Sequence, residues 1–104
     1  MHFASDNTAG VAPQIMAALE AANAGNVPSY GADALTEAVT VRLREIFEAP
    51  QAAVYLVATG TVANALSCAM FCAPWETVFC HRTAHIEEDE CGAPEFFIGG
   101  GKLT

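Results

Sequence analysis

The feature that most constrains the fold is a continuous apolar run from Ala52 to Ala58, which leads through Thr59-Gly60-Thr61 directly into a helical pattern. A short apolar run bounded by turn residues is typical of a strand buried on both faces of a parallel sheet. The pattern after it predicts a helix from Val62 to Phe71, which ends before Pro74. A strand, a tight turn and a helix in this order predict an α/β protein.

Two more helices are predicted ahead of this strand. Pro13 stands where the first turn of a helix tolerates proline, and apolar residues at helical spacing follow until Asn23 to Gly25 stop the pattern. After an irregular loop, Asp33 is placed to cap a second helix, which we expect Pro50 to end. Each of these helices has an apolar face that needs a neighbour.

Two further strands and a polar helical turn are predicted after the third helix. The strands are expected at Thr77 to Cys80 and near Phe96 to Ile98, and the helical turn at Ile86 to Glu90 lies between them. The glycine run Gly99 to Gly101 is interpreted as a turn. Strands that alternate with helices indicate a parallel sheet with helices on both faces.

The composition of the chain resembles the interior of a larger protein. Hydrophobic residues make up 53% of the 104 residues and charged residues only 15%, against about 25% charged in a typical soluble domain. A small domain has a high ratio of surface to volume and therefore needs more polar covering, not less. We therefore expect apolar faces that contact further chain or a partner subunit.

Charge and cysteine usage exclude several classes of function. The net charge of −8 disfavours binding to nucleic acid and to anionic membranes. No apolar run reaches about 18 residues, so no membrane helix is predicted, and the first twenty residues contain no Lys or Arg and resemble no secretory signal. The four cysteines match no disulfide framework, so free thiols and a cytoplasmic location are expected.

The junction at Thr59-Gly60-Thr61 predicts an anion site. The first N–H groups of a helix lack partners within the helix, and the helix dipole is positive there. Gly60 lets a ligand approach the backbone, and the flanking threonines add hydroxyl donors. The alternative is an ordinary strand-to-helix turn with a threonine cap. A nucleotide P-loop matches poorly, because no lysine follows Gly60-Thr61.

A second candidate site is the pair His81 and His85 with Arg82 between them, at the end of a predicted strand, where open α/β sheets bind ligands. The alternative is one solvated histidine and one hydrogen-bonded in the core. A metal site is not favoured, because neither CxxC nor HExxH is present. The acidic run from Glu87 to Glu90 is interpreted as a solvated helical face, one member of which can turn inward.

Four motifs together resemble the low-specificity threonine aldolases of the β-eliminating lyase group, which are pyridoxal-phosphate enzymes of the aspartate-aminotransferase fold. They occur in the order and spacing of that family: Phe3-Ala4-Ser5-Asp6-Asn7, Pro28-Ser29-Tyr30-Gly31, Ala58-Thr59-Gly60-Thr61-Val62-Ala63-Asn64, and Thr83-Ala84-His85-Ile86 followed by Glu90 and Gly92. The resemblance implies a three-layer α/β/α architecture. Residues 1–104 would form the N-terminal part of the large, cofactor-binding domain, with the rest of that domain and the C-terminal domain absent.

The resemblance also implies roles for individual residues. Gly60 and Thr61 would hold the cofactor phosphate. His85 would stack on the pyridine ring, and its imidazole could assist proton movement near the substrate hydroxyl. Ser5 would help bind the substrate carboxylate, and Tyr30 lies in a loop that approaches the active site across a dimer interface. Two more positions match the family motifs and are secondary candidates: Asn64 and Glu90.

The implied reaction is cleavage of the Cα–Cβ bond of threonine or allo-threonine to glycine and acetaldehyde, in a cytoplasmic homodimer or homotetramer. The family's Schiff-base lysine lies far downstream, and the lysine of this chain, Lys102, matches no such position and is interpreted as a surface residue. The resemblance therefore implies an incomplete chain that is inactive alone. The alternatives are another pyridoxal-phosphate lyase or transaminase, and a non-catalytic phosphate-binding or assembly module.

Overall fold

The computed structural model describes Phe3 and residues 8–104, which divide into two compact units, Met1–Ala52 and Ala53–Thr104. The first unit contains two helices, and the second contains three helices and two short strands among the described residues. In chain order the elements are α1 (Pro13–Ala22), α2 (Ala34–Ile46), α3 (Gly60–Phe71), β1 (Thr77–Val78), α4 (His85–Glu88), α5 (Ala93–Ile98) and β2 (Lys102–Leu103).

Helix α1 begins and ends where the sequence predicts. Pro13 is in the first helical turn, where its missing N–H has no intrahelical partner to lose. The helix ends at Ala22, and the backbone N–H of Asn23 donates to the carbonyl of Leu19 at 3.0 Å. The loop from Gly25 to Gly31 contains no helix or strand, as expected.

Helix α2 is capped by Asp33, which confirms the prediction from sequence. One carboxylate oxygen accepts from the backbone N–H groups of Leu35 and Thr36 at 3.0 and 2.9 Å, and the other accepts from the Thr36 hydroxyl at 2.7 Å. The hydroxyl hydrogen bond of Thr36, followed by its backbone hydrogen bond, lowers the pKa of Asp33. The helix ends at Ile46, before Pro50, and Arg44 Nε donates to the carbonyl of Ala52 at 2.8 Å.

The second unit is built on a parallel β-α-α-β arrangement. Strands β1 and β2 pair in parallel, with Thr77 opposite Lys102 and Val78 opposite Leu103. The backbone N–H of Lys102 donates to the Glu76 carbonyl at 3.2 Å. The connection between the strands contains α4 and α5, as a parallel pair requires. Helix α3 packs against α5, and α4 also contacts α3.

Two strand predictions are wrong. The run Ala52 to Ala58 contains no strand, because a strand needs a neighbouring ladder and no described residue pairs with this run. Phe96 to Ile98 belongs to helix α5, which begins after Gly92 and ends at Gly99, both with left-handed backbone (φ 73° and 77°). A short apolar run does not distinguish a strand from a buried helical turn. The strand that pairs with β1 is β2, beyond the glycine run.

The core of the second unit forms where α3 and α5 meet. Its buried apolar residues are Ala65, Cys72, Pro94 and Ile98. Gly101 is also buried, and a Cβ atom added there would collide with the Ile98 side chain and lie 3.2 Å from the Glu76 carbonyl oxygen. Only glycine allows β2 to approach this closely.

Large apolar side chains are exposed in both units, as the composition predicts. They include Leu19 and Leu35 in the first unit and Tyr55, Trp75 and Phe79 in the second. Single exposed apolar residues are ordinary, but so many in so short a chain indicate surfaces that contact further protein.

The four cysteines are free thiols, as predicted. Burial, together with the nearby carboxylate of Glu76, raises the pKa of Cys72. Across Phe3 and residues 8–104, no helix combines the length and apolar character needed to cross a membrane.

Candidate functional site

The N-terminus of α3 presents two unpaired backbone donors. Thr59 is the cap residue, with extended backbone (φ −143°, ψ 159°), and its hydroxyl accepts from the N–H of Val62 at 3.3 Å. Its carbonyl accepts from the N–H of Ala63 at 3.2 Å. The N–H groups of Gly60 and Thr61 have no acceptor among the described residues. These two amides stand where the helix dipole is most positive.

Gly60 is explained neither by packing nor by backbone conformation. A Cβ atom added to it would meet no atom of the described chain within 4 Å, and its φ is outside the left-handed range that favours glycine. The open space lies beside the two unpaired amides, so a side chain there would occupy the room that an anion needs. Donor chemistry and space together fit a phosphate group. The residues present at this helix end therefore suit a cofactor that carries a phosphate.

A buried carboxylate links two elements of the second unit. Glu90 is only 2% exposed. Its Oε1 accepts from Asn64 Nδ2 at 2.6 Å and lies 2.9 Å from Nδ1 of His85. Asn64 belongs to α3 and His85 opens α4, so one oxygen connects the two helices. Glu90 is thus the member of the acidic run that turns inward.

The backbone directs Glu90 into the protein. Cys91 and Gly92, which follow it, both have left-handed backbone, with φ of 52° and 73°. This turn separates α4 from α5 and brings the carboxylate within hydrogen-bond distance of Asn64 on α3. The hydrogen bond from Asn64, followed by that from His85 and its charge, lowers the pKa of Glu90, although burial acts in the opposite direction. The second oxygen, Oε2, is buried and has no hydrogen-bond partner among the described residues.

His81 does not join this network. Its Nδ1 accepts from the backbone N–H of Thr83 at 3.2 Å and lies 2.8 Å from the Thr83 hydroxyl. His81 therefore stabilises its own exposed turn, and Arg82 beside it is also exposed. Of the two histidines that the sequence singles out, the structure connects only His85 to the buried polar residues.

Two predicted site residues fall outside the second unit. Tyr30 belongs to the first unit, is fully exposed and has a left-handed backbone with φ of 60°. Such a conformation in a bulky residue stores strain and is often found at functional sites. Its role in substrate binding stays a prediction. Ser5 lies outside the described residues, so its predicted contact with a substrate carboxylate is also a prediction.

Gly60, Thr61 and His85 all lie in the second unit, and Asn64 and Glu90 provide the connection between them. Asn64 is one helical turn after Gly60, on the helix whose first amides are free. The sequence identified Asn64 and Glu90 by their motif positions but predicted no bond between them. The sequence signal that could have indicated this bond is the position of Glu90 directly before the turn at Cys91 and Gly92.

The fold and this site define a class of protein. The chain belongs to the beta-eliminating lyase family, whose family model matches residues 2–104. It is 45% identical over 101 residues to the low specificity L-threonine aldolases of Pseudomonas sp. (strain NCIMB 10558) and of Pseudomonas aeruginosa. The matches cover 97% of this chain and 29% of each relative.

A solved structure is also similar. The chain superposes on the threonine aldolase of Leishmania major with a TM-score of 0.82 and 29% identity, over 93% of this chain and 28% of that one. The predicted α/β fold of the aspartate-aminotransferase type is thereby confirmed, as is the family resemblance. The chain spans less than a third of the length of the relatives that it matches.

Proposed function

We propose that this protein is a pyridoxal-phosphate-dependent aldehyde-lyase that cleaves threonine or allo-threonine to glycine and acetaldehyde. The observation that carries the proposal is the pair of unpaired amides at Gly60 and Thr61, beside open space that packing leaves unexplained. Family membership and 45% identity to low specificity L-threonine aldolases support the substrate class. Residues 1–104 are the N-terminal part of the cofactor-binding domain in this proposal.

When bound, pyridoxal phosphate supplies an electron sink for cleavage next to an amino acid Cα. The amides of Gly60 and Thr61 hold its phosphate through charge-assisted hydrogen bonds, which the α3 dipole strengthens. The exposed Lys102 begins strand β2, with its Nζ 3.9 Å from Oε1 of Glu95, and it does not match the position of the Schiff-base lysine that the family resemblance implies. We therefore expect the lysine that attaches the cofactor to lie outside residues 1–104.

The remaining predicted residues act on the substrate. The side chain of His85 is 66% exposed, so its ring has a free surface on which a planar cofactor can stack, and it can hold a proton near the substrate hydroxyl. Ser5 binds the substrate carboxylate, and Tyr30 contributes from a partner subunit. The charge of −8 gives no support to a nucleic acid partner.

We also propose a homodimer or homotetramer in the cytoplasm. Large exposed apolar side chains such as Trp75 and Phe79 support assembly, because a partner subunit would cover them. Four free cysteines support a reducing compartment. Analytical ultracentrifugation of the gene product, expressed at its full length, tests the oligomer, and a monomer would contradict it.

Activity and cofactor content test the function. The full-length gene product is loaded with pyridoxal phosphate and given threonine, and glycine and acetaldehyde are measured. Borohydride reduction followed by mass spectrometry detects a cofactor adduct on lysine. A protein that retains the cofactor but releases no acetaldehyde would indicate another lyase or a transaminase. One that gives no adduct would indicate the non-catalytic module.

Gly60→Asp tests the phosphate site itself. A carboxylate in front of the two amides repels the phosphate, so we expect cofactor retention to be lost. The matched control is Gly10→Asp, which adds the same charge at another open glycine. Equal cofactor content in the two variants would contradict the site.

A further inference from the structure

We propose that Glu90 is a positioning residue that fixes His85 in the tautomer with hydrogen on Nδ1, so that Nε2 is left as an acceptor. The catalytic part of this inference rests on the proposed lyase function. The structural part rests on the chain's own hydrogen bonds. Its place in a sequence motif does not by itself give Glu90 a chemical role.

The direction of the hydrogen bonds follows from the donors that are present. Oε1 of Glu90 faces both Asn64 Nδ2 at 2.6 Å and His85 Nδ1 at 2.9 Å. A carboxylate oxygen can accept two hydrogen bonds but has no hydrogen to give. The amide of Asn64 therefore presents its NH₂ group, and His85 presents Nδ1–H. A proton on the carboxyl group would have to reside on Oε2, which has no partner among the described residues.

His81 provides an internal contrast. Its Nδ1 faces the backbone N–H of Thr83 at 3.2 Å, a group that can only donate. The neutral ring of His81 must therefore carry its hydrogen on Nε2. Two histidines four residues apart are thus expected in opposite tautomers, and each serves as the reference for the other.

The tautomer decides what His85 offers to a ligand. The side chain is 66% exposed, and Nε2 has no partner among the described residues. With hydrogen on Nδ1, Nε2 has a lone pair that can accept a hydrogen bond from a substrate hydroxyl or hold its proton. If it does hold the proton, the positive imidazolium lies 2.9 Å from Oε1 of Glu90. The opposite tautomer would offer only a donor.

Nitrogen-15 NMR of the full-length gene product, labelled at histidine, tests the inference directly. At a pH where imidazole is neutral, we expect His85 to show a protonated-type shift for Nδ1 and an unprotonated-type shift for Nε2, and His81 to show the reverse. The spectra of His81→Asn and His85→Asn assign the signals. A wild-type His85 with its hydrogen on Nε2 would overturn the proposal.

Variants of Glu90 separate positioning from folding. In Glu90→Ala the tautomer of His85 should change, because nothing then accepts from Nδ1. In Glu90→Gln the side-chain oxygen still accepts, so the wild-type tautomer should be retained, and this rescue would not follow from a merely structural role. If Glu90→Ala does not fold, Asn64→Ala is used in its place. We then expect a partial loss of the tautomer preference of His85. The exposed Glu88→Gln is the control and should change nothing.

Kinetics of the holoenzyme provide the second readout. Removal of a residue that orients a catalytic histidine should lower kcat by roughly 10- to 100-fold, with KM changing less, and Glu90→Gln should retain part of the activity. If the wild type cleaves threonine but the tautomer does not respond to Glu90→Ala, only this inference fails. If the wild type does not cleave threonine, the proposed function fails, and the NMR result still decides the role of Glu90.

Discussion

The two units of the chain are stabilised by different kinds of interaction. No described residue of the first unit is buried, and its helices depend on local features such as the Asp33 cap. All the buried residues of the described part of the chain belong to the second unit, among them Ala65, Glu90 and Ile98. The comparison teaches that packing fixes the second unit, whereas local hydrogen bonds define the elements of the first.

This difference matters for function, because a site needs a rigid support. The unpaired amides of α3 and the Asn64–Glu90–His85 bonds belong to the packed unit. Tyr30 belongs to the other, where nothing described covers it. We therefore expect the largest effects from substitutions of packed residues in the second unit, and smaller effects from substitutions that remove local hydrogen bonds in either unit.

The largest loss of stability is predicted for Gly101→Ala. The new methyl group would collide with Ile98 and press on the carbonyl oxygens of Glu76 and Ala73. Overpacking of this kind typically costs about 1–3 kcal/mol in the free energy of unfolding. Gly10→Ala, at an open glycine of the first unit, should stay within about 0.5 kcal/mol of wild type. Urea unfolding of both variants measures the difference, and equal losses would remove the contrast between the units.

A pH-dependent loss of stability is predicted from Glu90. Its pKa in the folded protein is lowered from the ordinary value of 4.5, so the carboxylate stabilises the folded state above that value, and the contribution disappears as the pH falls through the folded pKa. Asn64→Ala removes the largest cause of the lowered pKa. The acid-induced loss should therefore begin at the same pH as in the wild type, be complete at a higher pH and be smaller in total. Unfolding curves from about pH 6 to about pH 2 measure this, and superimposable wild-type and variant profiles would contradict it.

The helix caps compare the two units at matched positions. Asp33 accepts three hydrogen bonds of 2.7 to 3.0 Å, whereas the side chain of Thr59 accepts one of 3.3 Å. Thr59→Ala should cost about 0.5–1 kcal/mol, and Asp33→Ala should cost more. Asp33→Asn, which keeps acceptor capacity without charge, is the control. A larger loss for Thr59→Ala would show that the cap of the first unit is the weaker one.

The smallest effect is predicted for Arg42→Ala. Nη1 of Arg42 lies 3.1 Å from Oε2 of Glu45, and both side chains are largely exposed. The pair should therefore contribute only about 0.2–0.5 kcal/mol and be screened by salt. Arg44→Ala should cost more, because Arg44 Nε holds the carbonyl of Ala52. Thermal unfolding of the two variants at low and high salt checks the order. Equal losses would indicate that the Arg44 hydrogen bond contributes nothing beyond a surface charge.

Features with local causes could be predicted from the sequence. Pro13 and Asp33 define helix starts by their own chemistry, so α1 and α2 were placed correctly. The strand at Ala52 to Ala58 was not, because pairing depends on a neighbour that a sequence pattern does not specify. The predicted strand at Phe96 to Ile98 is wrong for a related reason. Its apolar residues suit a strand or a helix, and the left-handed glycines at the two ends, Gly92 and Gly99, bound a helix.

The candidate site likewise contains some features that the sequence predicts and others that only the folded structure shows. The free amides at Gly60 and Thr61 follow from the general property of helix ends, so they could be predicted. The bond from Asn64 to Glu90 joins residues 26 positions apart, and only the packed structure shows that they meet. The inward turn of one acidic residue was anticipated, but its hydrogen bonds were not.

The central claim is that the first amides of α3 hold the phosphate of the cofactor. An experimental structure of the full-length gene product with pyridoxal phosphate tests it most directly. We predict phosphate oxygens about 2.7–3.2 Å from the backbone nitrogens of Gly60 and Thr61. A cofactor bound with its phosphate away from both nitrogens would contradict the account.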